Sequence, residues 1–282
     1  MLKHQEEYPI AAGCRLLELA PSSYYYCPVE KDEQGMQAAI EEIAGRFSTY
    51  GSRRIAQELR RHPYRLLANR KRVQRLMGHM GLLVAVKPRK QSATNSQHPY
   101  PRYPNLIKDL QISYPDQVWV SDITYIRLMD DHVYLAIIMD VFTRAIRSWQ
   151  LSYALDQDLT LRPLRDALQS RRPTIHHSDQ GVQYAAYAYT DLLKAHDIQI
   201  SMAAVGKAEE NGYAERFMRT IKEEEVNLSD YRNFTDARQQ IALFIDDIYM
   251  TKRIHSSLGY LTPFEYEHGW NHRQLEPAAI PP

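Results

Sequence analysis

Cysteine is nearly absent from the 282 residues: Cys14 and Cys27 stand at no spacing that metal ligation uses. That excludes a disulfide-stapled domain and a cysteine-rich zinc unit, and a reduced, cytosolic setting is the economical reading. Long apolar runs are missing as well. The longest candidate, Tyr134 to Met139 (YLAIIM), falls far short of the roughly 18 residues a membrane span requires. The opening residues MLKHQEEYPI lack the basic-then-apolar order of a signal peptide. No internal repeat is evident. An overall excess of one charge is lacking too, with 35 Lys and Arg against 34 Asp and Glu. What remains is an ordinary globular composition, long enough for one large domain or two modest ones.

The near-zero net charge hides two opposed blocks. Between Gly51 and Lys90 there are 12 basic residues and one acidic residue, while the rest of the chain carries 23 basic and 33 acidic residues. A basic block of that density implies a polyanion partner, with DNA or RNA the usual one; a merely solvated basic helix is the alternative. Met36, Ile40, Ile43 and Phe47 recur at intervals of three and four, which predicts a helix over 34–47. Ser52 is a candidate N-cap for a short helix carrying Ile55, Ala56 and Leu59, which ends before Pro63. A third helix is predicted from the candidate cap Asn69 to about Met80, with Val73, Leu76, Met77 and Met80 inward and Gly81 as its stop. Arg70, Lys71, Arg72 and Arg75 fall on or near its outer side. Short helices with basic outer faces suit a helix-turn-helix-like DNA-binding region. The prolines at 88, 99, 101, 104 and 115 then predict an extended linker able to track a phosphate backbone.

After the linker the pattern switches to strands. Val118 to Ile126 is apolar on both alternating faces, as in a strand covered on each side. Further strands are expected over His132–Asp140, Ala145–Leu151, Thr174–His176 and Ile198–Met202. Helices are expected from the cap Asp156 to Leu168, over Tyr187–Ala195 and over Asn211–Ile221. The order implies an α/β fold built on a mixed five-stranded sheet flanked by helices.

Three carboxylates stand out in that frame. Asp122 interrupts an apolar strand, where an unpaired carboxylate is expensive, so it needs a metal, a cation or local hydroxyls such as those of Ser121 and Thr124. Asp179 follows a strand end, the usual meeting place of ligand and α/β sheet, although Asp before Gln-Gly is also good turn chemistry. Glu215 lies at the border of the apolar arc of the last helix, in line with Asn211 and Lys222 and close to Arg219; an ordinary exposed glutamate is the plain alternative. Gly212, costly inside a helix, predicts close approach of another backbone or of DNA. With 35 residues between Asp179 and Glu215, the three together form a hard-oxygen donor set suited to two Mg²⁺ or Mn²⁺ ions acting on a phosphodiester. His176-His177 has no zinc partner at finger spacing. His177 is expected to support the Asp179 loop, and the run Tyr24 to Tyr26 to serve packing.

The segments VWVSDITYI, HHSDQGVQY and NGYAERFMRTIK resemble the catalytic core of insertion-sequence-three family transposases, second-reading-frame products related to retroviral integrases. SSYYY, YGSRRIAQEL and NRKRVQRLMGHMGL resemble the amino-terminal part of that family, and RIHSSLGYLTPFEYE its carboxy-terminal signature. The resemblance implies an RNase H-like core with Asp122, Asp179 and Glu215 as catalytic metal ligands. It implies DNA contacts by Lys222, Arg219, Asn211, Arg53, Arg54, Arg70, Lys71, Arg72 and Arg75. It further implies cleavage at terminal inverted repeats, strand transfer to a target, fusion with or help from the upstream-frame product, a homo-oligomer on DNA, no membrane, and a bacterial cytosol or nucleoid location. The implied division is a helical DNA-binding region over 1–84, a linker over 85–115, the catalytic core over 116–226 and a helical extension over 227–282. Glu209-Glu210 and Met250 depart from the family pattern, where a Tyr-Asp pair and an Asn are usual; neither touches the carboxylates. Two other functions share these residues: an RNase H-fold structure-directed nuclease, and a non-catalytic DNA-binding repressor descended from a transposase.

Overall fold

The computed structural model describes residues 9–26, 33–84, 99–204 and 207–275. Two short helices, α1 (Ile10–Leu16) and α2 (Pro21–Tyr24), come first, followed by α3 (Gln34–Arg46), α4 (Ser52–Glu58) and α5 (Arg70–His79). In α5 the cap is as expected: the Asn69 side chain accepts from the Arg72 amide, and Gly81 closes the helix at φ +68°. In α4 the cap shifts by one residue. Gly51 occupies the extended cap position, and Ser52, already helical, makes no side-chain cap bond. Helices α3, α4 and α5 enclose Ile40, Ile43, Ile55, Leu59, Val73 and Leu76. The same cluster contains Ile254, a residue from the far end of the chain.

The sheet has the order β3-β2-β1-β4-β5, with β1 (Val118–Arg127), β2 (His132–Asp140), β3 (Ile146–Ser152), β4 (Ile175–Ser178) and β5 (Gln199–Met202). β1 pairs antiparallel with β2 and parallel with β4, so it is the central strand on which the chain reverses its winding. Its side chains alternate between two cores, as the sequence requires. Val118 and Val120 join the layer beneath α9 (Gly212–Glu224), which buries Ala214, Phe217, Met218 and Ile221. Trp119 joins the opposite layer beneath α6 (Asp158–Leu168) and α8 (Tyr187–Ala195). A one-turn helix, α7 (Val182–Ala185), sits between β4 and α8. The result is the mixed five-stranded sheet flanked by helices, preceded by a helical unit.

The expected linker divides in two. Residues 85–98 and Cys27 lie outside the described residues, whereas 99–115 are docked on the core rather than extended through solvent. Ile107 enters the apolar cluster, the Leu106 amide donates to Ser201 Oγ at 2.8 Å, and the Met202 amide donates to the Pro104 carbonyl at 3.2 Å. Apolar residues among the prolines were underweighted. Burying Ile107 and half-burying Leu110 and Ile112 outweighs the freedom of a spacer.

The C-terminal extension is helical, with α10 (Phe234–Ala242), a π-helix (Leu243–Lys252) and α11 (Pro263–Leu275). It also fastens the molecule together. The Ile254 amide donates to the Tyr50 hydroxyl at 3.0 Å, Arg61 pairs with Glu265, and Glu267 reaches Arg147 at 2.9 Å and Arg171 at 2.7 Å. Met250, one of the departures, packs at the edge of the core, and its sulfur accepts from the Ile146 amide where β3 joins β2 irregularly. No helix among the described residues is long and apolar enough to cross a membrane.

Candidate active site

β1 carries Asp122 opposite Ile137 of β2, with Oδ1 accepting from the following amide of Ile123 at 2.8 Å. The hydroxyl explanation for its presence does not hold for Ser121. Its side chain points to the other face and meets His176 Nε2 at 2.9 Å. Burial pushes the Asp122 carboxyl up to about 8, the negative charges of Asp179 and Glu215 push the same way, and the Ile123 amide and Lys222 oppose them. Asp122 thus sits where three acidic groups sense one another and their charge is incompletely balanced.

Asp179 leaves the end of β4, its Oδ1 accepting from the Gly181 amide at 2.9 Å. The turn chemistry and the functional position therefore coexist, because the turn is what fixes the carboxylate. A Cβ at residue 181 would lie 2.9 Å from that same oxygen, so the glycine is needed for Asp179 to keep its place. Glu215 is exposed in the first turn of α9, a position that the helix dipole favours for a negative charge. Lys222, two turns on, holds its ammonium 4.7 Å from the centre of the Tyr125 ring, and burial draws its pKa down while Asp122 draws it up. Arg219 makes a loose pair with Glu223 at 3.9 Å.

Among the described residues no group of three or more His, Cys, Asp and Glu side chains stands at metal-binding separation. The donor chemistry nonetheless fits a divalent cation. One oxygen of each aspartate accepts from a backbone amide, and Glu215, exposed in the first turn of α9, adds a third carboxylate whose charge Asp122 feels.

The sequence missed part of the surroundings. Tyr184 is buried beside the aspartates, feels the charges of both, and its hydroxyl has no hydrogen-bond partner among the described residues. His177 supports β5 and not the Asp179 loop, its Nδ1 meeting Ser201 Oγ at 2.8 Å. His176 joins Ser121 to Tyr189 across the sheet, 2.9 and 3.0 Å from their hydroxyls. Burial lowers both imidazoles, to about 3 for His176 and about 4 for His177, so both are neutral. The signal available was two histidines inside a short buried strand, which demands hydroxyl partners.

The expected DNA-contact residues fall into two sets. Arg53, Arg70 and Lys71 are exposed on the helical unit, and Arg72 and Arg75 both grip Glu33 at 2.8 and 2.7 Å. Asn211 is a correction, and Arg54 does not stand on the outer basic face. Arg54 turns inward over the Tyr50 ring toward Glu224, 3.7 Å away. Asn211 is 2% exposed and donates to the Ser121 carbonyl at 3.1 Å, a tie between α9 and β1. Gly212 is the first residue of α9, and no other backbone among the described residues comes within 4 Å of where its Cβ would be, so the expected approach of another protein segment is absent there. Of the acids near Glu215, Glu210 accepts from Asn105 and from the Ala204 amide, and Glu224 is paired with Arg253, so both have structural tasks.

Known proteins resemble this chain over most of its length. Family models described as integrase core domains match residues 113–208 and 196–263, and one described as an HTH-like domain matches residues 30–91. The chain is 30% identical over 279 residues to the transposase for insertion sequence element IS629 of Shigella sonnei, covering 94% of this chain and 93% of that one. It is 31% identical over 278 residues to transposase InsF for insertion sequence IS3A of Escherichia coli (strain K12), covering 94% and 96%. Superposition on a chain of a simian T-cell lymphotropic virus intasome solved with the PP2A regulatory subunit B56 gamma covers 86% of this chain and 76% of that one, at TM-score 0.49 and 15% identity.

Proposed function

Because the chain belongs to the IS3-type family of insertion-sequence transposases, we propose that it cuts the ends of such an element and joins them to a target strand, with Asp122, Asp179 and Glu215 as the reacting centre. The observation that carries this reading is the buried Asp122 carboxyl on the central strand, under the combined influence of Asp179 and Glu215. Such an arrangement is unfavourable for stability and is retained where function requires it.

Two Mg²⁺ or Mn²⁺ ions held by these carboxylates would supply charge neutralisation at the attacking and leaving oxygens of a phosphodiester. The residues of the chain do the rest. The rigid strand and the Gly181 turn set the aspartates, and α9 lets Glu215 close onto them. Lys222, held over Tyr125, presents its ammonium beside the acidic set to a DNA phosphate. Tyr184 offers a buried hydroxyl to whichever aspartate oxygen turns away from the substrate. In this reading the helical region within 1–84 grips DNA through Arg53, Arg70, Lys71, Arg72 and Arg75, the core over 116–226 performs the chemistry, and 227–282 ties the two together. Joining two ends in one reaction requires at least two copies assembled on DNA, with the upstream-frame product as partner.

The test is a strand-joining assay in Mg²⁺ with element-end DNA, a target duplex and the upstream-frame product supplied. Joined products are expected with the wild type. Asp122→Asn, Asp179→Asn and Glu215→Gln should each lose joining by about 100-fold or more while still binding DNA. Normal joining by all three variants would remove the assigned centre. Cleavage of branched DNA without joining would identify the nuclease, and binding without either reaction would identify the repressor.

A further inference from the structure

Across α9 from the carboxylates lies a cavity of about 760 Å³ that the proposed chemistry does not use. Five cations line it, Arg54, Lys108, Arg144, Arg216 and Arg253, against one carboxylate, Glu210. Five separate segments of the chain supply them: α4, the docked stretch before β1, the β2–β3 turn, α9, and the strap after the π-helix. Two of the five are neutralised from behind. Arg253, 2% exposed, forks onto Glu224 at 2.6 and 2.7 Å, and Arg54 approaches the same glutamate. Glu210 is committed to Asn105, the Ala204 amide and, at 3.8 Å, Lys207. Lys108, Arg144 and Arg216 have no ion pair among the described residues.

The same convergence bears on His255 on the cavity wall. Burial lowers its imidazole far below the usual range, and the charges of Arg253, Arg54, Arg144 and Arg216 all lower it further. Arg144 adds a second sign of purpose. It holds φ +62°, a conformation that an arginine adopts only at a cost. Its amide donates to the Asp140 carbonyl at 2.9 Å, its carbonyl accepts from the Tyr249 hydroxyl at 3.1 Å, and its guanidinium stacks 4.5 Å from the centre of the Tyr213 ring. A positive charge is therefore pre-set in a fixed place rather than left on a mobile surface side chain. Unneutralised, pre-positioned arginines around a cavity match the two non-bridging oxygens, sharing one negative charge, that a tetrahedral phosphodiester presents.

We propose that this cavity is a second phosphate-binding site, holding the backbone of the same DNA strand a few nucleotides from the reacting phosphodiester. The proposal rests on the reading that the protein works on DNA. Glu215 and Lys222 lie on one flank of α9, and Gly212, Tyr213, Arg216 and Thr220 line the cavity on the other. A helix with its side chains is about 10–12 Å across, which at about 3.4 Å of axial rise per nucleotide is about three nucleotides. Open space over Gly212 lets a strand cross the first turn of α9.

The test is the salt dependence of binding of a fluorescein-labelled, single-strand-tailed duplex to the full chain without divalent metal. Lys108→Gln/Arg216→Gln replaces two exposed side chains, and adding Arg144→Gln makes a triple variant. The slope of log affinity against log salt should fall by about 0.9 per lost phosphate contact, hence by about two in the double and about three in the triple variant. Arg162→Gln/Arg165→Gln on α6, in the opposite layer, should leave it unchanged. A methylphosphonate about three nucleotides from the reacting position should weaken wild-type binding about tenfold and the triple variant little. An unchanged slope, a slope lost equally in the α6 control, or a cavity effect seen with RNA and not DNA would overturn the site. Joining activity is read separately, so a wild type that binds DNA with this slope and joins nothing would remove the proposed function and leave the cavity standing.

Discussion

Gly181 and Asp122 show how single side chains set the chemistry. The Gly181 turn leaves no room for a Cβ beside Asp179 Oδ1, and the obstructed atom is the end of a short side chain rather than backbone. Gly181→Ala should therefore fold with a nearly unchanged thermal midpoint while displacing the Asp179 carboxylate. Strand joining should fall by about tenfold or more; full activity with a normal midpoint would show that the turn does not set the carboxylate. Asp122 acts in the opposite sense on stability. Its folded value, about 8, lies above the ordinary carboxylate value of 3.8, so the folded protein holds this proton more tightly than the unfolded chain. That contribution is complete below about pH 3.8 and is lost as pH rises through about 8. Asp122→Asn removes the loss. Without metal, the variant should be more stable than wild type at pH 8, and the gap should close toward pH 4. Denaturation curves showing no gap at pH 8 would contradict the crowding of charge.

At the level of elements, the strap between the π-helix and α11 matters most for integrity. Ile254 is fully buried in the core of the helical unit although about 200 residues separate it from Tyr50, whose hydroxyl it meets. Ile254→Ala should cost about 2–5 kcal/mol and lower the helical unit's protection from hydrogen exchange together with that of the strap. Exchange changes confined to the strap would show that the two do not share a core. Elements with strong periodicity were legible beforehand: β2 over His132–Asp140 and α8 over Tyr187–Ala195 run as expected, and Asn69 caps α5 as read. The π-helix was not. Phe244, Ile245 and Tyr249 are buried at spacings compatible with more than one winding, so period alone cannot choose. Arg54 was misread for a related reason. On α4 it looks like any basic surface residue, and only Glu224, distant in sequence, draws it inward.

For the molecule as a whole, order and spacing single out Asp122, Asp179 and Glu215 in the sequence, while the contacts around them are not legible there. Tyr184, the hydroxyl partners of His176 and His177, and the cationic cavity arise from contacts between distant segments, which local pattern does not encode. Three buried neutral imidazoles, His176, His177 and His255, give the fold a shared weakness to acid. Each has a folded value below the ordinary 6.5, so the unfolded chain binds the proton first, and stability is lost as pH falls below about 6.5. The thermal midpoint should drop steadily from pH 7 to pH 5, and His255→Gln should flatten that drop by the share of one proton. A midpoint independent of pH across that range would mean that the imidazoles are not held neutral.

The central claim is that Asp122, Asp179 and Glu215 close on a pair of divalent ions when DNA is present. Anomalous scattering from crystals of the protein–DNA complex grown in Mn²⁺ measures this directly. Two peaks about 3.5–4 Å apart, ligated by these three carboxylates beside a DNA phosphate, are the predicted result. Manganese bound elsewhere, with Glu215 taking no part in ligation, would contradict the account.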